Sequence, residues 1–256
     1  MKASRRPTAL AGRFAAVLGL PDGIKACLFD MDGVLTETAT VHARAWKAMF
    51  DDYLKQRDGD DFKPFTQDDY DEYVDGKPRY DGVKSFLASR NIDLPQGSPS
   101  DDPATESIDG LGNRKNDLVL KIIHDEGVKP YPGSVEYVNA VRDAGLRTAC
   151  VSSSANAGEV LEAAGVRALF EALVDGRVVE EDGLNGKPAP DTYVKGAEEV
   201  GVKASEAAVF EDALSGVEAG RRGNFGYVVG VDRVGQADAL KQHGADVVVK
   251  DLGELL

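Results

Sequence analysis

Short runs of small and β-branched apolar residues recur along this chain. Each ends in polar or acidic residues and is followed by a helical pattern, which predicts an α/β protein. Ile24 to Phe29, Leu146 to Val151 and Ala207 to Phe210 read as buried strands, and shorter strands are expected at Ala172, Phe225 to Val231 and Asp246 to Val249. Helices are expected from about Val135, Asn156, Asp191 and Ser215, so strand and helix alternate from Tyr131 onward. Right-handed crossovers then give a doubly wound parallel sheet with helices on both faces.

The alternation is interrupted once, after the first strand, by an acidic and mainly helical stretch too long for a plain loop. We therefore expect residues 1–36 and 126–256 to form the α/β core and residues 37–125 a helical cap domain. The first cap helix, about Thr40 to Leu54, places Val41, Ala45, Ala48, Met49 and Tyr53 at helical spacing. Asp68 to Asp81 is acidic and aromatic, whereas Leu94 to Gly110, rich in Pro, Ser, Gly and Asp, reads as a surface loop. Inserted at this point, a cap stands over the strand tips as a lid that excludes water and selects the substrate.

Four polar elements sit where predicted strands end, the edge at which open α/β sheets bind ligands. Asp30-Met31-Asp32-Gly33 places two carboxylates one residue apart, an arrangement that suits metal-assisted phosphoryl transfer, one acid attacking phosphorus and the other handling a proton. By itself the motif is equally a turn or a fragment of a calcium loop. Ser152-Ser153-Ser154 precedes a helix and offers hydroxyls beside free amides, as a phosphate site or as ordinary helix capping. Lys187, in Lys-Pro-Ala-Pro, is held on stiff backbone and can neutralise a phosphoryl group, its alternative being a solvated surface lysine. Glu211-Asp212 follows a buried strand, where adjacent acids are costly unless a cation or donors meet them; Asp212 as a helix cap is the alternative.

Taken together and in this order, the four elements resemble the haloacid dehalogenase superfamily of phosphotransferases over nearly the whole chain. The resemblance implies a Rossmann-like core, Asp30 as a nucleophile that forms an aspartyl phosphate, and Asp32 as general acid and base. It also implies Ser152 and Lys187 as phosphoryl ligands, with Glu211 and Asp212 as metal-site acids. Charge supports a metal independently: Asp30, Asp32, Glu211 and Asp212 face one cation, Lys187, and unrelieved like charges would protonate the nucleophile. With oxygen ligands only from these four acids, Mg²⁺ is favoured over zinc.

The segment Thr38-Ala39-Thr40-Val41-His42-Ala43-Arg44-Ala45-Trp46-Lys47 is similar to the β-phosphoglucomutase family, as are Gly76 to Arg79 and Arg114-Lys115-Asn116-Asp117. That likeness implies Thr38 at the hinge, His42 near the acid/base carboxylate and Arg79 on the phosphate that is not being transferred. Two lysines carried by those mutases are replaced here by Asp75 and Ala155; Lys77 can offset the first, and Ser154 with Asn156 can still hold a distal phosphate. The acidic cap suggests that sugar hydroxyls are read there. Three readings result: a β-phosphoglucomutase converting β-glucose 1-phosphate to glucose 6-phosphate through the 1,6-bisphosphate, a sugar-phosphate phosphatase, and a non-catalytic sugar-phosphate-binding protein.

The 256 residues are 42% hydrophobic, ample for a buried core, and a formal charge of −14 disfavours nucleic acid and anionic membrane as partners. No segment approaches the roughly 18 apolar residues of a membrane span. Lys2, Arg5 and Arg6 precede an apolar run interrupted by Arg13, so Met1 to Leu20 reads as an amphipathic helix rather than a signal peptide. Cys27 and Cys150 fall inside core strands and are expected as free thiols. A cytoplasmic monomer or weak dimer is expected. His124 and His243 receive no role.

Overall fold

The computed structural model describes residues 18–256, so the helix expected at the N-terminus lies almost entirely outside the described residues. Six parallel strands form one sheet: β1 (Ala26–Phe29), β2 (Arg147–Val151), β3 (Ala172–Val174), β4 (Ala207–Glu211), β5 (Tyr227–Val231) and β6 (Val247–Val249), in the order β3-β2-β1-β4-β5-β6. Every residue of β1 and β4 is buried, as expected of central strands covered on both faces. Alternate side chains divide between two apolar clusters, with Cys27, Phe29, Cys150 and Phe210 on one face and Ala26, Leu28, Ala149 and Val151 on the other. Tyr137 and Leu161 cover the first face, and Tyr193 and Val217 the second. Phe29 stacks on Phe210 with ring centroids 4.5 Å apart, tying β1 to β4. Both cysteines are free and buried.

The strand order reverses at β1 and β4, which opens a crevice at their carboxyl ends. The amide of Asp30 donates to Phe210 O at 2.9 Å, so the first acid still follows the sheet's frame as the chain leaves it. Observed strand ends differ from the expected ones by a residue or two, the ordinary variation at element boundaries.

Between β1 and β2 lies a helical insert: α1 (Ala39–Asp58), a helical turn at Gln67–Asp69 that widens over Tyr70–Val74, α2 (Arg79–Ser89) and α3 (Ile108–Glu126). It has its own apolar centre, in which Trp46 stacks on Phe50 at 5.3 Å and Phe50 meets Phe86 at 4.2 Å. The buried stripe of α1 is Val41, Ala45, Trp46, Met49, Phe50, Tyr53 and Leu54. Ala48, expected on that face, is exposed, because the larger aromatic residues on either side rotate the stripe away from it.

The expected surface loop is shorter and more firmly held than its composition suggested. Residues 108–110 already belong to α3, whose first turn is capped by Ser107, and Asn113 donates to Pro99 O and Asp101 O. Helix α4 (Pro132–Asp143) follows the insert, and α5 (Ala157–Ala163), α7 (Asp191–Glu199) and α8 (Leu214–Arg222) follow β2, β3 and β4. Two short helices, α6 (Gly176–Glu181) and α9 (Ala237–His243), gave too little periodicity to be read from sequence. Asp175 fixes the start of α6 by accepting from the amides of Arg177 and Val178.

Candidate active site

The ends of β1 and β4 place three acids together. One carboxylate oxygen from each of Asp30, Glu211 and Asp212 lies within 4.8 Å of the others. Gly33 permits this: its φ is +77°, and a Cβ there would lie 1.7 Å from Asp212 Oδ2. Lys187 is 3% exposed, which rules out the surface reading, and its Nζ reaches Asp30 Oδ1 at 2.5 Å and Glu211 Oε1 at 2.6 Å. Glu211 also accepts from Tyr193 OH at 3.1 Å and from the amide of Ala213 at 2.9 Å, so both of its buried oxygens meet donors.

Burial, then Glu211 and Asp32, raise the Asp30 pKa, with Lys187 opposing them. Burial likewise raises Asp212, with Asp75 and Glu211 next in effect. For Lys187 burial pulls the pKa down, but Asp30 and Glu211 outweigh it and hold the ammonium charged. An oxygen-only set of three acids with one shared cation has the donor chemistry of a Mg²⁺ site. Asp212 is not a helix cap, since α8 begins after Ala213.

Asp32, also expected at the metal, is not part of this group. Its Oδ1 accepts from Thr38 Oγ1 and lies 3.5 Å from His42 Nε2. Thr38 is itself bonded to Thr36 at 2.6 Å, which fixes the chain where it enters the insert. His42 Nδ1 lies 2.8 Å from Lys115 Nζ, and that ammonium sits 4.8 Å over the Trp46 ring. Burial, then Lys115, lower the His42 pKa to about 4, against Asp32. Burial lowers Lys115 to about 7. Lys115 was legible only as part of a motif resemblance; the missed signal is a lysine in the apolar face of α3, 5% exposed.

The serine loop does not cap the helix that follows it, for α5 has Asn156 at its N-cap and no side-chain cap bond. Ser152 is buried, and its Oγ accepts from the amide of Ser154 at 3.1 Å, while Ser153 Oγ donates to Gly76 O at 2.8 Å across the cleft. Ser154 lines the cleft, and Asn156 Nδ2 donates to Asn116 Oδ1 at 2.8 Å. Arg79 opens α2 and lines the cleft; its guanidinium meets Tyr80 OH at 3.2 Å and has no ion-pair partner among the described residues. Lys77 donates to Tyr73 O and Ser85 Oγ, both at 2.9 Å, so it turns back into the insert and does not replace the cation missing at position 75. Asp30, Asp32, His42, Arg79, Ser154, Glu211 and Asp212 line one cleft of about 560 Å³, walled by the sheet edge and the insert, whereas Ser152, Asn156 and Lys187 do not line it.

The haloacid dehalogenase-like hydrolase family matches residues 24–224. A Mycobacterium tuberculosis protein named beta-phosphoglucomutase is 55% identical over 247 residues, 94% of each chain. A Thermotoga maritima phosphorylated carbohydrates phosphatase is 27% identical over 89% of this chain and 94% of its own. The structure of a beta-phosphoglucomutase from Clostridium difficile superposes with a TM-score of 0.72 at 24% identity, covering 91% of this chain and 93% of that one, and shows the shared fold. The crevice at β1 and β4 thus gathers acids and a serine loop from the tips of β1, β2 and β4 together with Lys187 from the segment between α6 and α7, and the chain is an enzyme that belongs to the haloacid dehalogenase-like hydrolase family.

Proposed function

We propose that this chain is a Mg²⁺-dependent β-phosphoglucomutase that works through an aspartyl phosphate on Asp30. The observation that carries the reading is the pairing of two differently placed acids. Asp30 is locked to Lys187 within reach of Glu211 and Asp212, whereas Asp32, two residues on, faces Thr38 and His42. One carboxylate is thereby kept for phosphorus and the other for protons. The relative at 55% identity carries the mutase name, which supports the substrate class.

In this scheme phosphorylated Asp30 donates its phosphoryl group to the 6-hydroxyl of β-glucose 1-phosphate, and Asp32 takes the hydroxyl proton. The bisphosphate turns round in the cleft. Asp30 Oδ then attacks the phosphorus at C1, the C1 oxygen–phosphorus bond breaks, and Asp32 returns the proton to that oxygen. Asp30, Glu211 and Asp212 would hold Mg²⁺, which supplies charge neutralisation at the transferring group. Lys187 compensates the charge on Asp30 and with Ser152 binds the transferring phosphoryl group, and Arg79 with Ser154 and Asn156 holds the other phosphate.

Residues 37–125 serve as the cap domain over a core to which residues 18–36 and 126–256 contribute, residues 1–17 of the expected core lying outside the described residues, and the enzyme works as a cytoplasmic monomer or weak dimer. A sugar-phosphate phosphatase is the second reading, favoured by one observation: Asp75 and Ala155 line the cleft where the mutase resemblance puts lysines. Purified protein given Mg²⁺, β-glucose 1-phosphate and a trace of the 1,6-bisphosphate is expected to form glucose 6-phosphate with little free phosphate. Stoichiometric release of phosphate would replace the mutase reading with the phosphatase one.

A further inference from the structure

The insert contributes an acid of its own to this site. Asp75 follows the wide turn Tyr70–Val74, and its backbone is seated on the core: Asp75 O accepts from Ser215 Oγ at 3.2 Å and Gly76 O from Ser153 Oγ at 2.8 Å. Gly76 has φ +70°, and a Cβ there would lie 2.3 Å from Ser215 Oγ and 3.3 Å from Ala213 Cβ. This seam therefore rests on the turn immediately after Asp212. The Asp75 side chain lines the cleft together with Asp30, Glu211, Asp212 and Tyr70.

Among the described residues no cation pairs with it, although Arg79 lines the same cleft. Lys187 is engaged by Asp30 and Glu211, Lys77 by the insert's own Tyr73 and Ser85, and Lys115 by His42 and Trp46. Among the described residues neither Asp75 nor Asp212 has an ion-pair partner within 4.0 Å. Bringing the insert onto the core thus adds a carboxylate to a site already rich in them, and like charges at low dielectric repel.

We propose that Asp75 is a positioning residue that makes closure of the insert depend on the divalent cation. With a cation at Asp30 and Asp212, the carboxylate of Asp75 is drawn to the site and holds the seam shut. Without one, the same carboxylate is repelled and the seam opens. By linkage, whatever factor the cation adds to closure, closure adds to cation affinity. Burial, and after it Glu211, raise the Asp75 pKa to about 7, the direction expected of an acid set among acids. The inference rests on the Mg²⁺ reading above and extends it to a residue of the insert.

The test combines hydrogen exchange over residues 70–77 with calorimetric Mg²⁺ binding, on the full chain. In the wild type, Mg²⁺ should slow exchange in this segment and EDTA should restore it. Asp75→Asn keeps the shape and removes the charge: exchange should become equally slow with and without Mg²⁺, and the Mg²⁺ dissociation constant should rise about 5-fold or more. Asp75→Glu should keep the dependence on Mg²⁺. If the wild type binds Mg²⁺ and Asp75→Asn responds to it as the wild type does, this proposal fails alone. If the wild type binds no Mg²⁺, the metal reading fails and takes the proposal with it.

Discussion

The Oδ1 of Asp32 lies 3.5 Å from the Nε2 of His42, and this contact separates the second acid of the motif from the first. At that distance the attraction is electrostatic, and His42 Nε2 has no hydrogen-bond partner. When the Lys115 ammonium donates to Nδ1, the neutral ring carries its proton on Nε2, facing Asp32. Asp32 thus has a donor beside it in Thr38 and a polar neighbour, His42, that burial keeps uncharged.

Asp32→Asn should expose the proton-transfer role. A general acid matters most when the departing alkoxide is poor, and its loss typically costs about 10²–10⁴-fold. Steady-state rates with sugar phosphates should fall by that order, while p-nitrophenyl phosphate, with its good leaving group, is affected far less. Equal losses on both substrates would remove Asp32 from the proton path.

His42 should stay neutral across the physiological range, because burial first and Lys115 second lower its pKa to about 4. In Lys115→Met the second cause disappears while Asp32, which favours the imidazolium, remains. The midpoint must then move up, though not beyond what burial permits. Titration of the imidazole by NMR in the two proteins reads this shift directly; an unchanged midpoint would show that Lys115 does not act on the ring.

Removing Lys187 leaves Asp30 and Glu211 as buried anions without their cation. Breaking a buried pair from one side typically costs about 3–5 kcal/mol. Lys187→Met should therefore lower stability to urea by about this amount and abolish turnover, and added Mg²⁺ should recover part of the stability only. A variant as stable as wild type would mean that the ion pairs contribute little.

The metal prediction concerns Asp212. EDTA should abolish activity and Mg²⁺ restore it, with zinc a poor substitute for an oxygen-only donor set. Asp212→Ala should raise the Mg²⁺ concentration for half-maximal activity strongly. Unchanged dependence would move the metal away from the group formed with Asp30 and Glu211.

Much of this site was legible because it lies at strand tips. Asp30, Ser152, Glu211 and Asp212 each end or adjoin an apolar run whose burial dictates where the polar residue must emerge, and the sheet order does the rest, whereas Lys187, expected at a strand end, comes from the segment between α6 and α7. The parallel sheet was readable for the same reason. The insert was harder. Its existence followed from the length of the excursion, but the stripe of α1 was misplaced by one residue type, at Ala48, because aromatic packing rather than spacing decides it. The Lys115–His42 contact joins residues on two separate helices, and no local pattern encodes it. The turn of Lys77 away from the cleft is likewise a matter of which partners lie nearby, Tyr73 O and Ser85, rather than of residue type.

The central claim is that phosphoryl groups pass through Asp30. Rapid quenching of the Mg²⁺-loaded enzyme during turnover with β-glucose 1,6-bisphosphate, followed by mass spectrometry of the peptide containing residues 26–36, tests it most directly. A phosphoryl group on Asp30 is expected, labile to hydroxylamine and absent from Asp30→Asn, whose turnover should fall by several orders of magnitude. Turnover at wild-type rate with no phosphoryl group on Asp30, or an active Asp30→Asn variant, would contradict the account.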